Sequence, residues 1–543
     1  IPYTFSKKYL LRTPALPIFD SENIKNIKEL VNNEYFSEAI YLTSPDLHVE
    51  MEKYLVDNST KNAKLESTLL KYIIRMSFRC TPFGLFAGIS VGQIKEESSI
   101  ELDTIDQFER KTRVDMNYLC SLVQNIENSK EIINNILYYP NSSLYRIGEE
   151  YRYVEYIYEN TVRHHYLVSI SSSIYLEKII NLSLCGAKIS SLVDEIISDE
   201  ISYLDAENFI LNLIDNQILI SSISPSLTGK GYLETICEKT NIQWLKALNF
   251  DIDKLDSKIT NKGLKQYKKI ISTLETHNVP FNKKFLFQTD LIIKAKTNFL
   301  SQQVISDLEK ALIILNKLKT REENPILLGF KKAFYKRYED AEVPLFLVLD
   351  VETGIGYNQD LKNSYDLSPL VDDLVLNSGT LKSKQKFDFN SLMVKYLEAS
   401  KRNNAEEIFL TDEDLLEVKL DWNDLPETFP IIASIYHNKN SEDNKHLISL
   451  DHIGGPSSNY MLGRFGHVNS DVEELLTENI SVEYDTKDTI YAEIVHLPEA
   501  RTGNILYRPK LRNYEIPYLA KSNLPIENQI SITDIYVSIV NEK

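Results

Sequence analysis

The sequence predicts an α+β fold: a multi-subdomain protein of mixed sheets and helices with an embedded winged helix-turn-helix module. Three observations point there. The chain has 543 residues, beyond what one hydrophobic core usually serves. Helix-spaced and strand-like apolar segments alternate along it with no internal repeat. Residues 142–224 contain three β-rich runs, three helix-like segments and a short apolar run that closes them.

Residues 1–141 mix strands and helices and are expected to form the first subdomain. Within them, 61–77 space Leu65, Leu69, Tyr72, Ile73 and Met76 as one helical face. That helix should stop before Pro82, because the residue preceding a proline is pushed out of the helical region. Gly84 and Gly88 follow, where the backbone can turn as other residues resist.

In 142–224 the strands are SSLYRIG, YRYVEYIY and VRHHYLVSI, with turns expected at Glu149–Glu150 and Glu159–Asn160. Helices are expected over 173–183, 189–198 and 205–216, capped by Ser173 with Glu177 and by Asp205 with Glu207. The run ILISSIS closes the module. Its recognition-like helix carries Glu207 and Asp215 and no Lys or Arg, so duplex DNA is a poor ligand. The other use of such a module is strand addition, in which a peptide pairs with an open sheet edge. Tyr151, Tyr153, Tyr156, Tyr158 and Tyr166 would wall it; equally, they suit a strand packed on its core.

Residues 225–543 are expected to form the remainder. A largely helical stretch over 251–319 is broken near Val279–Pro280 and by the strand-like FLFQTDLII, and ends in an amphipathic helix at 300–319. PLFLVLDV, 344–351, reads as a buried strand by its unbroken apolar run. The final hundred residues read as short strands and turns.

Composition narrows the function. Apolar residues make up 43% and charged residues 25%, ordinary for a globular protein. No apolar run approaches the ~18 residues of a membrane helix, and no signal-peptide pattern opens the chain. The four cysteines, Cys80, Cys120, Cys185 and Cys237, lie far apart, which suits a reducing cytoplasm rather than a disulfide scaffold or zinc ribbon. A net charge of -18 argues against broad, nonspecific nucleic-acid binding and leaves room for local basic surfaces. Candidates are Lys7, Lys8 and Arg12; Arg75 and Arg79; Lys111 and Arg113; Lys331, Lys332, Lys336 and Arg337; and Lys382, Lys384 and Lys386. Each is also readable as a solvated face.

HExxH and GxxxxGK[ST] are absent from the sequence. ETGIGY and GGPSS read as turns, and His164 and His165 point to opposite faces of a strand. Arg75 and Arg79, four apart at the end of a helix and followed by Thr81–Pro82, share a face and suit an oxyanion or phosphate. Two solvated surface arginines would leave the same pattern.

RMSFRCTPFGLFAGISVG, 75–92, resembles the signature of the amino-terminal domain of class I lanthipeptide (lantibiotic) dehydratases. KTRVDMNYL (111–119), FQTDLII (287–293), FYKRYEDAEVPLFLVLDVETGIGY (334–357), MLGRF (461–465) and HLPEARTGNILYRPKLRNYEIPY (496–518) resemble further blocks of that family, in order. The resemblance implies a glutamyl transferase that moves glutamate from glutamyl-tRNA to Ser and Thr hydroxyls of a ribosomal precursor peptide. The site would comprise Arg75, Arg79, Thr81, Asp115, Asp290 and Arg464. The 142–224 module would bind the leader peptide through Tyr151, Tyr153, Val154, Tyr156 and Tyr158. Glutamyl-tRNA is the implied co-substrate, with no bound cofactor and no metal. The family's elimination domain is expected to be absent from this sequence, either because the sequence is a piece of a longer protein or because a separate protein performs elimination. That protein, a cyclase and a second copy of the chain are the further partners expected, in the cytoplasm or at a membrane-bound modification and export complex. Two alternatives stay open: a peptide aminoacyl-tRNA ligase extending a carboxy terminus, and a non-catalytic peptide-binding partner.

Overall fold

The structure is a computed structural model that describes residues 1–18, 27–56, 62–159, 162–256, 263–319, 324–357, 391–403, 411–416, 418–423, 425–437, 446–485 and 488–540. The basic cluster Lys382, Lys384 and Lys386 and the expected turn residue Asn160 lie outside them. Two compact units divide the chain: one of residues 1–4, 303–425 and 533–543, the other of 5–302 and 426–532. Residues 142–224 stay inside the larger unit. One apolar core runs from Val114 through Leu192, Ile210 and Leu248 to Ala500, joining that module to the segments on either side.

The strands that organise the larger unit are β1 Lys8–Pro14, β2 Gly84–Lys95, β3 Ser99–Leu102, β4 Glu109–Val114, β5 Tyr138–Pro140, β6 Tyr145–Ile147, β7 Glu150–Glu159, β8 Val162–Ser171, β9 Leu219–Ser221, β10 Phe287–Ile292 and β11 Ala295–Ser301. β2 is the spine of a six-stranded sheet. It pairs antiparallel with β1 on one side and parallel with β10 and then β11 on the other. β4 adds antiparallel to β10, and β3 to β11. The middle of β2 is buried almost without interruption because both faces of the sheet are covered.

On one face, helices Glu34–Thr43, Pro45–Val56 and Ala63–Phe78 set Phe36, Ile40, Met51, Leu69, Ile73 and Met76 against Leu85 and Phe86. On the other, Ile89 and Ile292 meet Phe465, Val472 and Leu476. The helix Ala63–Phe78 starts at Asn62, whose side chain accepts from the Leu65 amide. It ends at Arg79, whose backbone has already turned extended, so Arg79 closes the helix rather than lying on its face.

The 142–224 segment has the expected order of strands and helices. β6, β7 and β8 form a three-stranded antiparallel sheet, and helices Ile174–Ser183, Ile189–Ile196 and Tyr203–Asp215 follow. β9 pairs with β5 rather than with that sheet. Ser173 caps the first helix as expected, but the third begins at Ser202, which accepts from the Asp205 amide, so Asp205 is not the cap.

Three further expectations are corrected. Residues 344–351 do not form a strand. Val343–Pro344 pairs briefly with Tyr536–Val537, and Leu345–Leu349 is helical. An apolar run of that length does not by itself distinguish strand from short helix. Asp350 then ends the turn by accepting from the amides of Glu352 and Thr353. The last hundred residues include a 12-residue helix, Ser470–Ser481, capped by Asn469. β11 forms within the stretch read as largely helical, and its pairing with β2 and β3 supplies what its mixed sequence does not announce.

Candidate active site

Asp290 sits where the central sheet changes its pairing. On β10 it faces Lys111 of β4 and Gly84 of β2, yet the next residue, Leu291, faces Gly88. β2 therefore leaves the ladder between the two glycines, and Gly84 turns with φ +51. A Cβ at Gly88 would stand 2.4 Å from the Leu291 carbonyl oxygen, so only glycine lets β2 return this close to β10.

Three side chains, two guanidiniums and an imidazole, gather on this carboxylate. His467 Nε2 lies 3.2 Å from Oδ2, Arg113 Nη2 lies 3.7 Å from Oδ2, and Arg464 Nη2 lies 3.8 Å from Oδ1. Arg12 and Arg464 both overlie the Phe465 ring, at 5.8 and 4.6 Å, and Arg464 lowers the Arg12 pKa beyond what burial does. Burial alone would raise the Asp290 pKa, but the His467 hydrogen bond and the charges of Arg113 and Arg464 outweigh it, and the net shift is downward. His467 shifts downward too, first through burial and then through Arg113, which keeps it neutral at pH 7. The side chain of Asp290 is 11% exposed and that of Arg464 38% exposed, so solvent reaches the cluster from the Arg464 side. Arg113 and Arg464 on one ionised carboxylate, with Arg12 beside Arg464, leave the locality positive inside an acidic protein, the setting for an anionic ligand.

Arg113 is set by a segment far along the chain. Its Nη2 donates to the Asn504 carbonyl at 3.1 Å, and its guanidinium lies 5.2 Å from the Tyr507 ring centre. The Asn504 side chain in turn clamps Asp115: its Nδ2 donates to Asp115 Oδ2, and its Oδ1 accepts from the Met116 amide. Asp115 also accepts from Gln288 and caps helix Met116–Ile126 through the Asn117 amide. It is 2% exposed, so it holds the site's frame and offers no free oxygen to a ligand.

Arg75, with Arg79 near it, lies at the turn that precedes Gly84. The Arg75 guanidinium lies 4.7 Å from the Phe83 ring centre, and Phe83 immediately precedes the glycine paired with Asp290. Burial and the nearby Arg79 both lower the Arg75 pKa. Thr81 is exposed in the same turn. Of the sequence-named residues, the structure joins Asp290 and Arg464 directly, brings Arg75 to the adjoining turn, and makes Asp115 a support. Arg113, His467, Asn504 and Tyr507 complete the cluster. Arg113, Asn504 and Tyr507 stand inside quoted sequence blocks, and His467 lies two residues past MLGRF.

Other basic clusters are engaged locally. Lys8 pairs with Glu474 and Glu478, Lys111 with Asp256, and Arg337 donates to the carbonyls of Thr353 and Gly354.

The three-stranded sheet has one closed and one open flank. Beyond the short β6, the outer flank of β7 is finished by side chains. The Val154 amide donates to Ser143 Oγ and its carbonyl accepts from Asn141, while Gln217 both accepts from and donates to the Tyr156 backbone. Val154 is therefore not on an open edge. Tyr153 is in the core, Tyr151 and Tyr158 pack against it, and Tyr156 stacks under Arg163 at 3.5 Å. These residues build the sheet rather than an exposed peptide wall. β8 pairs with no other strand on its outer side among the described residues. The Arg163 amide points outward to Glu499, so the backbones of His165, Leu167 and Ser169, in phase with it, also face outward.

No helix among the described residues is long and apolar enough to cross a membrane.

The sequence profile of the family described as "Lantibiotic dehydratase, N terminus" matches residues 32–543. Among curated proteins, the chain is 24% identical to the subtilin biosynthesis protein SpaB of Bacillus subtilis over 99% of its own length and 53% of that protein. It is 24% identical to the nisin biosynthesis protein NisB of Lactococcus lactis subsp. lactis over 96% of its length and 52% of that protein. The chain thus spans about half the length of the curated relatives it matches. In fold it resembles the tRNA-dependent lantibiotic dehydratase MibB of Microbispora sp. 107891, with TM-score 0.78, 18% identity and coverage of 99% of this chain and 52% of that one. It also resembles the TbtB glutamylation domain from thiomuracin biosynthesis bound to 5'-phosphodesmethylglutamycin, with TM-score 0.62, 12% identity and coverage of 95% and 64%.

Proposed function

Since this chain belongs to the lantibiotic dehydratase amino-terminal family, we propose that it transfers glutamate from glutamyl-tRNA to Ser and Thr side chains of a ribosomally made precursor peptide. The observation that carries this reading is the ionised Asp290, buried beneath Arg113, His467 and Arg464, of which Arg464 is the most exposed. The arginines of the cluster suit the phosphates of a tRNA acceptor end and the glutamate carboxylate. The carboxylate suits the hydroxyl that attacks.

The step is an ester exchange. The peptide Oγ attacks the glutamyl ester carbonyl, a new carbon–Oγ bond forms, and the bond from that carbon to the terminal ribose oxygen breaks. The Oγ proton passes to Asp290 Oδ1 and from there to the departing ribose oxygen, so charge and protons balance. Arginines already placed around the reacting ester stabilise the oxyanion that develops without reorganising.

In this reading the leader peptide adds as a strand to β8, pairing with the outward backbones of His165, Leu167 and Ser169. Because leader and core are one chain, that docking raises the local concentration of the core at Asp290. Incubating the protein with precursor peptide and glutamyl-tRNA should give a peptide heavier by one or more glutamyl groups, ester-linked at Ser or Thr and absent with uncharged tRNA. An amide-linked residue at the peptide's carboxy terminus would instead make the chain a peptide ligase. No covalent change would leave it a peptide-binding protein.

A further inference from the structure

We infer that His467 is a positioning residue for the transfer step: its imidazole holds Asp290 Oδ2 from the protein side, so that Oδ1 is the oxygen presented to substrate. This deepens the reading of Asp290 as the proton acceptor and rests on it.

The geometry is one-sided. His467 and Arg113 both approach Oδ2, whereas Arg464, the most exposed partner, approaches Oδ1. An ionised carboxylate can only accept, so the 3.2 Å contact with Nε2 requires the proton on that nitrogen. Nδ1 then carries the lone pair. It is buried and has no hydrogen-bond partner among the described residues.

The surroundings resist a second proton. Asp290 on β10 faces the ring. Arg113 and Lys111 on β4 act on it as positive charges, the Tyr507 ring stands 5.6 Å away, and Arg464 lies three residues earlier in its own segment. An imidazolium here would add a charge beside Arg113 and Lys111 in a site from which water is largely excluded. The side chain of His467 is 5% exposed, so it does not reach substrate itself. A neutral Nε2–H donor keeps the Asp290 carboxyl ionised and oriented without neutralising it, which an ammonium or guanidinium at that distance would do more fully.

Three variants separate this role from its rivals: His467→Gln, whose amide can reach Oδ2; His467→Asn, polar but too short; and His467→Phe, which donates nothing. Single-turnover transfer from glutamyl-tRNA to the precursor peptide is followed from pH 3 to 9. His467→Asn and His467→Phe should lose at least about 10-fold in rate, with the KM for glutamyl-tRNA little changed, and His467→Gln should recover most of the loss. Activity requires ionised Asp290 and falls as pH drops through its pKa. Losing the donor raises that pKa, so the acid limb of the two impaired variants should move to higher pH. If all three variants were equally inactive, His467 would be the proton acceptor itself; if all matched the wild type, it would be structural. Either result overturns the inference.

A readout without turnover distinguishes failure here from failure of the functional reading. With histidine 15N-labelled, His467 should show a protonated Nε2 and a bare Nδ1 at pH 7, and Asp290→Asn should perturb that signature. A doubly protonated ring, or a Nδ1–H tautomer, would refute the positioning role whether or not the peptide is glutamylated.

Discussion

The central sheet and the three-stranded β6–β8 sheet use polar groups in opposite ways. At Asp290 the polar atoms belong to side chains from β4, β10 and the segments around residues 464 and 504, and nearly all of them are engaged with one another. At β8 the polar atoms are backbone amides and carbonyls, and beyond Arg163 its outer edge pairs with no other strand among the described residues. A charged cluster recognises charge at a fixed point and tolerates little substitution. An open strand edge recognises any extended chain and takes its register from side chains. The difference teaches that the two regions suit different ligands: a fixed anionic group at Asp290 and an extended chain along β8.

The two regions are also tied by covalent continuity. Arg163 at the start of β8 donates to the Leu497 carbonyl, and its amide to Glu499. A few residues on, Asn504 and Tyr507 hold Arg113 and Asp115. The segment 496–507 thus buttresses both the strand that would bind leader and the arginine beside Asp290.

The largest effect separating the regions is expected at Asp290. Asp290→Asn keeps the shape and removes the acceptor charge, and should lower transfer by about 100-fold or more while leader affinity measured by titration stays within a factor of about two. Comparable loss of leader binding would mean that the two regions are one site.

Next comes the edge. Leu167→Pro removes an outward amide and leaves the β7–β8 ladder its hydrogen bonds, because proline is tolerated where the N–H faces solvent. It should weaken leader binding about 10-fold, or ~1.4 kcal/mol, and leave a leaderless core unaffected. Val154→Pro would instead disturb the flank already closed by Ser143 and Asn141. Unaltered leader affinity in a folded Leu167→Pro protein would remove β8 as the docking edge.

Asn504→Ala leaves Asp115 and the Met116 amide short of partners in a buried place and should cost about 1–3 kcal/mol in urea unfolding. Transfer should fall as well, because the segment whose Asn504 carbonyl braces Arg113 loses its side-chain anchor on Asp115. A stability loss with full transfer activity would show that Asp115 and Asn504 serve the fold alone.

The smallest effect is expected from Arg79, which is exposed at the helix end. Arg79→Gln should weaken tRNA binding modestly and reduce the slope of log affinity against log salt by about one. An unchanged slope would place the phosphate contacts elsewhere.

The β6–β8 module was legible in the sequence because its signals are local: alternation within each strand, Ser173 at a helix start, short turns. Its open flank was not, since the closure of β7 depends on Gln217, some sixty residues away, with φ +57. That Asp290 and Arg464 lie together was legible only through resemblance; nothing near either residue in the sequence announces the pairing. His467 was missed because a lone histidine is ordinary, and its meaning lies in a partner 177 positions earlier. The same limit explains Asp115. An acidic residue before a helix is a cap in any protein, and only its bond to Asn504 ties it to the site.

The most direct test of the division between chemistry and docking crosses two variants with two substrates. Wild type, Asp290→Asn and Leu167→Pro are each given glutamyl-tRNA with a leader-bearing or a leaderless core, and glutamyl ester is counted by mass spectrometry. Asp290→Asn should fail on both substrates, while Leu167→Pro should be impaired on the leader-bearing peptide and match wild type on the leaderless core at high concentration. Ester formation by Asp290→Asn at the wild-type rate, or equal loss by Leu167→Pro on both substrates, would contradict it.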